Sequence, residues 1–542
     1  MMKRLGEANR RFWRETTFAG AAQRRWFRFC SVCLALYVAY ATCLAQSKLF
    51  MSAADTVAAL LWFILVAAGV YALLLFACAR LRDHAPVPAR PCEDRRFFWI
   101  SAALSLAILL CVFAAEYPGG VTYDASNQWR QAQSGEFNNW HPVFHTLCVW
   151  LASRIVGGYS LVLLLQLVAF SFAMAYLVDT ARSLGAPRWL LLLLQGLVVA
   201  SSIVRNTLMT VGKDGAMAIG ALCLLAQTIR VLQTRGAWLR RLPCALCYGL
   251  LLAFTTMVRH NGVLLTLPLG LFALCCYPCE RKRVLLSLGA FALCVALVQG
   301  PLYGALDIVY PKNTLEESVG IPMTILCNEK QKSPDKLDER TNAFLDGLAS
   351  EEDWRTVYQL NVYNSIKFTF PREKIADVPA SELLGMTLDA VKADPRNAFM
   401  TVNAVTDLVW GVTGANEGVE KVNNTGDIEE ARYGVAKLNA VGKAMVALFD
   451  AIYAFAPLSW LFKNIGVQQL LLLLVTLWAL ARGGVSRLSL AVPAIVYNLA
   501  TMLLLCGGDA RFFMYFMAGA PFATLALLLL PNDAQSKEIL PN

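Results

Sequence analysis

The chain has 542 residues, of which 57% are hydrophobic and only 16% charged, and its mean hydropathy is +0.51. That is too apolar for a soluble domain of this length, and the apolar runs recur at about the length of helix that crosses a hydrocarbon core of roughly 30 Å. The expected class is an all-α polytopic membrane protein, and the net charge of +10 is ascribed to loops beside anionic lipid, so no nucleic-acid partner is expected.

In chain order, residues 1–26 form a basic tail containing Arg10, Arg11, Arg14, Arg24 and Arg25. No small-residue cleavage site follows it, so the first apolar run is expected to stay as a helix. Twelve spans are predicted, near 27–45, 57–79, 97–115, 160–180, 189–204, 215–233, 243–258, 262–278, 284–304, 466–481, 488–505 and 513–530. Lys and Arg collect in the tail, between Arg80 and Arg96, between Arg230 and Arg241, at 280–283 and between Arg482 and Arg487. Retention of basic loops on the cytoplasmic side puts both termini there, including 531–542, at the plasma membrane. The intervening loops then face outward.

This divides the chain into an N-terminal transmembrane module at 27–304, a hydrophilic segment at 305–465 and C-terminal spans at 466–530. The segment 305–465 carries 16 Lys and Arg against 23 Asp and Glu, and is read as a helical cap on the outer face. Within it Ser350 to Asp353 has the pattern of a capping box before WRTVYQLNVYNSIKF, a helix is expected from Ser381, and another after Asp394-Pro395. Two further apolar stretches, 141–158 and 448–466, are read as helices lying along the outer surface, the second interrupted at Pro457. The 16 cysteines fall almost entirely in apolar runs and only Cys327 lies in the hydrophilic segment, so neither a disulfide framework nor a metal site is expected from them.

The candidate chemistry lies in the first outer loop, 116–158. Glu116 follows the third span, and Asp124 comes after the turn Tyr117-Pro118-Gly119-Gly120. Either carboxylate could serve as a general base or hold a divalent cation near a phosphate; either could equally be a solvated acid or a helix cap. His141 and His145 are spaced to share a helix face as metal ligands do, although no third ligand is adjacent, and His141 alone could orient a substrate near Asp124. Four other outward loops are basic: Arg205-Asn206, Lys213-Asp214, Arg259-His260-Asn261 and Asp509-Ala510-Arg511. Together they suit a phosphate clamp. Individually, Lys213 could pair with Asp214 and Arg511 with Asp509.

Tyr117-Pro118-Gly119, Asp124, Gln128 and Trp140-His141-Pro142, followed by VGKDGAMAIGALCLL at 211–225, MVRHNGVLLTLPL at 257–269 and DARFFMYFMAGAP at 509–521, resemble the glycosyltransferase C superfamily. The likeness is nearest to a bacterial group of its members and touches residues 97–530. It implies a multi-span enzyme that passes a sugar from a polyprenyl-phosphate carrier to a glycan, lipid or protein acceptor at the extracytoplasmic face. The first-loop acid of such enzymes carries over onto Asp124, with Glu116 second, and the basic residue of the RHN stretch onto Arg259 as a phosphate ligand. Many members have two adjacent acids in the first loop. Here Ala125 follows Asp124, which leaves open whether a divalent cation takes part.

The alternative from another class is a transporter or flippase of a lipid or small solute, which predicts broken helices and ionisable groups near mid-membrane. A membrane scaffold would leave the crowded first loop unexplained.

Overall fold

The computed structural model describes residues 21–81, 96–311, 315–413, 436–505 and 508–531. Within them the protein is all-helical, with no strand and two isolated bridges, Gly120 with Thr210 and Asn138 with Val309. Nine helices among the described residues are long and apolar enough to cross a membrane. A bilayer-spanning chain must satisfy its backbone internally, and runs of Leu, Ala, Val and Phe do so as helices. The chain is a multi-pass membrane protein.

The first half comprises α1 (Ala21–Ala39, extended by a π turn to Leu44), α2 (Ala53–Leu81), α3 (Arg96–Glu116), α4 (Tyr123–Ser134), α5 (Val143–Val156), α6 (Tyr159–Ser183), α7 (Arg188–Ala200), α8 (Ser202–Leu208), α9 (Lys213–Gln233), α10 (Leu242–Met257), α11 (Val263–Cys276) and α12 (Arg281–Leu297). The predicted span 189–204 is α7 and α8 bent by 63°. The break falls at Ser201, whose backbone is extended (ψ 140°), in a Ser-Ser pair where the helix restarts. The predicted spans 243–258 and 262–278 are the shorter apolar helices ending at Met257 and Cys276.

A second hydrophobic core holds the soluble-type segment together: α13 (Gly320–Lys332), α14 (Glu339–Leu348), α15 (Glu351–Thr356), α16 (Tyr363–Thr369), α17 (Arg372–Ala376), α18 (Ala380–Ala393) and α19 (Pro395–Trp410). The capping box at Ser350 and Asp353 forms, and Asp394 caps α19 with Pro395 in its first turn. The long helix expected after Ser350 does not. It stops at Thr356 and restarts at Tyr363, with Asn361 in a left-handed turn (φ 63°) between the two.

The stretch read as a surface helix interrupted at Pro457 becomes α20 (Ala436–Tyr453) and α21 (Ala456–Lys463), bent by 97° with Pro457 in the first turn of α21. Helix α20 packs along α3. A Cβ at Gly442 would collide with the backbone of Cys111 and Ala115, so glycine permits that approach. The chain closes with α22 (Ile465–Arg482), α23 (Val492–Leu505) and α24 (Met514–Leu529).

Burial sorts the spans. The apolar window of Lys213–Gln233 is 67% buried and that of Ala510–Leu529 is 72%, against 22% for Ala53–Leu81 and 11% for Pro278–Ala305. The bundle is therefore centred on α9 and α24, packed with α6, and the outer helices present their apolar faces to lipid. Both central helices start next to the candidate site.

Candidate functional site

The first loop is fixed before it carries any chemistry. Gly119 has φ 114°, open to glycine but strained for other residues, and a Cβ there would strike the Leu163 side chain. Gly120 N–H then donates to Met209 O at 2.7 Å. The Tyr159 hydroxyl donates to Gly120 O at 2.8 Å and accepts from Val211 N–H at 3.0 Å, which ties this turn to the strip of chain leading into Lys213. Thr122 caps α4 by accepting from Ala125 N–H, placing Asp124 in the first turn, where the helix dipole favours an acid.

Four regions of sequence converge on Asp124. Lys213 Nζ lies 2.6 Å from Asp124 Oδ2, and Arg511 Nη2 lies 3.5 Å from the same oxygen. His141 Nε2 is 3.7 Å from Asp124 Oδ1, and Lys213 Nζ is 3.3 Å from His141 Nδ1. Behind them Arg259 pairs with Asp214, and its Nε donates to Asn261 Oδ1 at 2.8 Å. Arg511 Nε meets Asp509 Oδ2 at 2.8 Å and Asp214 Oδ2 at 4.0 Å. The guanidinium carbons of Arg259 and Arg511 lie 4.7 and 5.2 Å from the centroid of the Phe512 ring. Exposure falls from 28% at the Asp124 side chain to 11% at Lys213 and 4% at Arg259. Asp124 is the mouth of the cluster and the Arg259–Asp214 pair its floor.

Three cations, Lys213, Arg259 and Arg511, thus face three carboxylates, Asp124, Asp214 and Asp509, so the side chains balance. The backbone tips this balance. Helices α4, α9, α11 and α24 all begin at the cluster, α11 and α24 through 3-10 turns at His260–Gly262 and Ala510–Phe513. Their N-terminal N–H groups and dipoles favour an added anion. Burial alone would raise the Asp124 carboxyl, but Lys213, then Arg511 and His141, outweigh it and hold it well below the ordinary carboxylate range. Burial, and then Lys213, push His141 down to about 3 against the pull of Asp124, so its imidazole is neutral near pH 7.

Of the sequence candidates, the cluster unites Asp124, Lys213, Arg511, Arg259, Asn261 and His141. Asn261 Nδ2 donates onward to Thr501 Oγ1 at 2.6 Å. His260 Nε2 lies 3.3 Å from Trp140 O, so these two form the rim. Gln128 is turned inward, donating to Thr146 Oγ1 at 3.0 Å and facing His145 Nδ1 at 3.1 Å, and it locks α4 onto α5. His141 and His145 therefore do not share a ligand face: Pro142 sets the start of α5 at Val143, leaving His141 in the loop and His145 buried. Glu116 ends α3, its carbonyl accepting from Gly119 N–H, and none of the ion pairs around Asp124 includes it. Arg205 pairs with Asp450 of α20. Asp214 pairs with Arg259, not with its neighbour Lys213, whereas Arg511 does pair with Asp509.

Asp509 joins the cluster as the partner of Arg511 that the sequence suggests, whereas the role of Asp214 as partner of Arg259 has no signal in the sequence. Tyr159 is not a sequence candidate, and its only signal is its place after Gly157-Gly158. Among the described residues no group of three His, Cys, Asp or Glu side chains is arranged to hold a metal ion. An apolar cavity inside the bundle is lined by Leu222, Leu269, Leu472, Tyr515 and Phe516, and none of the charged residues lines it. No family model, curated protein or solved structure matches the chain.

Proposed function

We propose that the protein is a membrane glycosyltransferase that moves a sugar from a polyprenyl-phosphate donor to an acceptor hydroxyl at the extracytoplasmic face. On this reading about twelve segments cross the plasma membrane, both termini are cytoplasmic, and the 305–465 segment caps the side from which the acceptor arrives. The observation that carries it is the meeting, at four helix starts, of the partly exposed Asp124 with Lys213 and Arg511, with the Arg259–Asp214 pair behind them.

An amphiphilic donor held in the bilayer presents its phosphate at this depth, with the sugar toward Asp124. The acceptor oxygen bonds to the anomeric carbon as the bond from that carbon to the phosphate oxygen breaks. The hydroxyl proton passes to Asp124, and the bonding electron pair leaves with the phosphate. Lys213, Arg511 and Arg259 offset the charge that develops there, a contact of this kind contributing about 2 to 4 kcal/mol in the transition state. His141, neutral, orients Lys213 and Asp124.

Replacing Asp124 with Asn should lower transfer by on the order of 10³-fold with expression and folding intact. Full activity in Asp124→Asn would remove the assignment. One observation favours the second reading, a lipid transporter or flippase: the two bent helical pairs meet through Arg205 and Asp450. Recovery of the donor intact but translocated would select it; release of free polyprenyl phosphate selects the enzyme.

A further inference from the structure

We propose that Lys213 is an exchangeable cation: at rest its ammonium is held by Asp124, and an entering phosphate head group takes it over, freeing the carboxylate to act as base only while the donor is bound. This rests on the reading that the site receives a lipid phosphate.

Three contrasts within the cluster lead there. Arg259 has Asp214 as its own carboxylate and stacks on Phe512, and Arg511 has Asp509 at 2.8 Å and the same ring. Both are anchored to a fixed frame. The ion pair of Lys213 is with Asp124, at 2.6 Å, and its other near neighbour is the neutral His141. An ammonium is a point charge on a flexible stem, suited to changing partners in a way that a planar guanidinium is not.

The arrangement also poses a difficulty that exchange resolves. A carboxylate gripped by an ammonium at 2.6 Å, with a guanidinium at 3.5 Å, is a weak base for a hydroxyl proton. A phosphate offers Lys213 stronger acceptors. As transfer proceeds Asp124 gains a proton and loses its charge, while the departing phosphate gains charge. A lysine that follows the charge from one to the other binds the transition state better than the resting site, the condition for acceleration. His141 Nδ1, 3.3 Å from Nζ, keeps the ammonium within reach of both.

Exchange of Lys213 is readable in binding, without turnover. Polyprenyl phosphate is titrated against the full-length protein in detergent, with affinity read from thermal stabilisation. Asp124→Asn no longer competes for Lys213, so it should bind with a Kd about tenfold lower than the wild type. Asp124→Ser should shift it the same way, which covers misfolding of either variant. Lys213→Met should lose the affinity, and adding Asp124→Asn to Lys213→Met should recover none of it. Unchanged or weaker binding by both folded Asp124 variants overturns the exchange while leaving the lipid-phosphate site standing. No binding by folded wild-type protein would overturn the proposed function as well.

Discussion

Asn328 in the core of the 315–410 segment and Asp124 at the helix starts are both hubs of polar networks, built in opposite ways. Asn328 is fully buried and neutral. Its Nδ2 donates to Asn361 Oδ1 at 2.8 Å and Thr401 Oγ1 at 2.7 Å, and its Oδ1 accepts from the Tyr358 hydroxyl at 2.6 Å and from Asn361 N–H at 3.3 Å. Donors and acceptors match, so the network fixes where α13, α19 and the Tyr358–Asn361 turn sit. Asp124 is charged and partly open, and it shares its oxygens among Lys213, Arg511 and His141. A saturated neutral network specifies structure. A balanced ionic one at a mouth, with helix starts behind it, leaves its carboxylate partly open to solvent, and on the proposed reading it admits an anion there.

Breaking the neutral hub should have the largest effect on stability. Asn328→Leu strands the Tyr358, Asn361 and Thr401 groups and is expected to cost about 3 kcal/mol, read as an earlier transition in a thermal scan. A melting curve identical to the wild type would show that this network holds nothing in place.

The ionic side of the comparison is sharpened by acid. His141 has its folded pKa lowered from 6.5 to about 3, so between those values the unfolded chain binds a proton that the folded chain does not. Its contribution is present above pH 6.5 and is lost as pH falls toward about 3. His141→Gln should therefore lose less melting temperature than the wild type over that window. Equal slopes would mean that His141 is not held neutral in the folded site.

The smallest effect is expected at an ion pair in neither network. Lys392 and Asp389 sit one turn apart on α18, both well exposed. Lys392→Ala should change stability by less than about 0.5 kcal/mol, and a larger loss would blur the distinction between hubs and ordinary surface pairs.

How much of this could be read from the residues follows from what each signal encodes. Charges beside apolar runs are costly enough to stand out, so Asp124, Lys213, Arg259 and Arg511 were all legible as candidates. Of their pairings, only that of Arg511 with Asp509, two residues away, is legible. Consecutive helical residues point about 100° apart, so Lys213 and Asp214, adjacent in sequence, reach different partners from the first turn of α9. Hydropathy is equally blind to a backbone break, so the run 189–204 gave no warning of the bend at Ser201. Likewise Arg205 looked like one more member of an outward basic set, and its partner Asp450 lies 245 residues away on α20. The capping box at Ser350 was legible because it is local, and the turn at Asn361 escaped because a single left-handed asparagine leaves no periodic trace.

Whether this cluster cleaves a sugar from a lipid phosphate is decided by incubating the purified protein with a panel of polyprenyl-phosphate sugars and following the donor by mass spectrometry. At least one donor should be converted to free polyprenyl phosphate by the wild type and not by Asp124→Asn. Donors that all remain intact, or that are cleaved equally by both proteins, would contradict that reading.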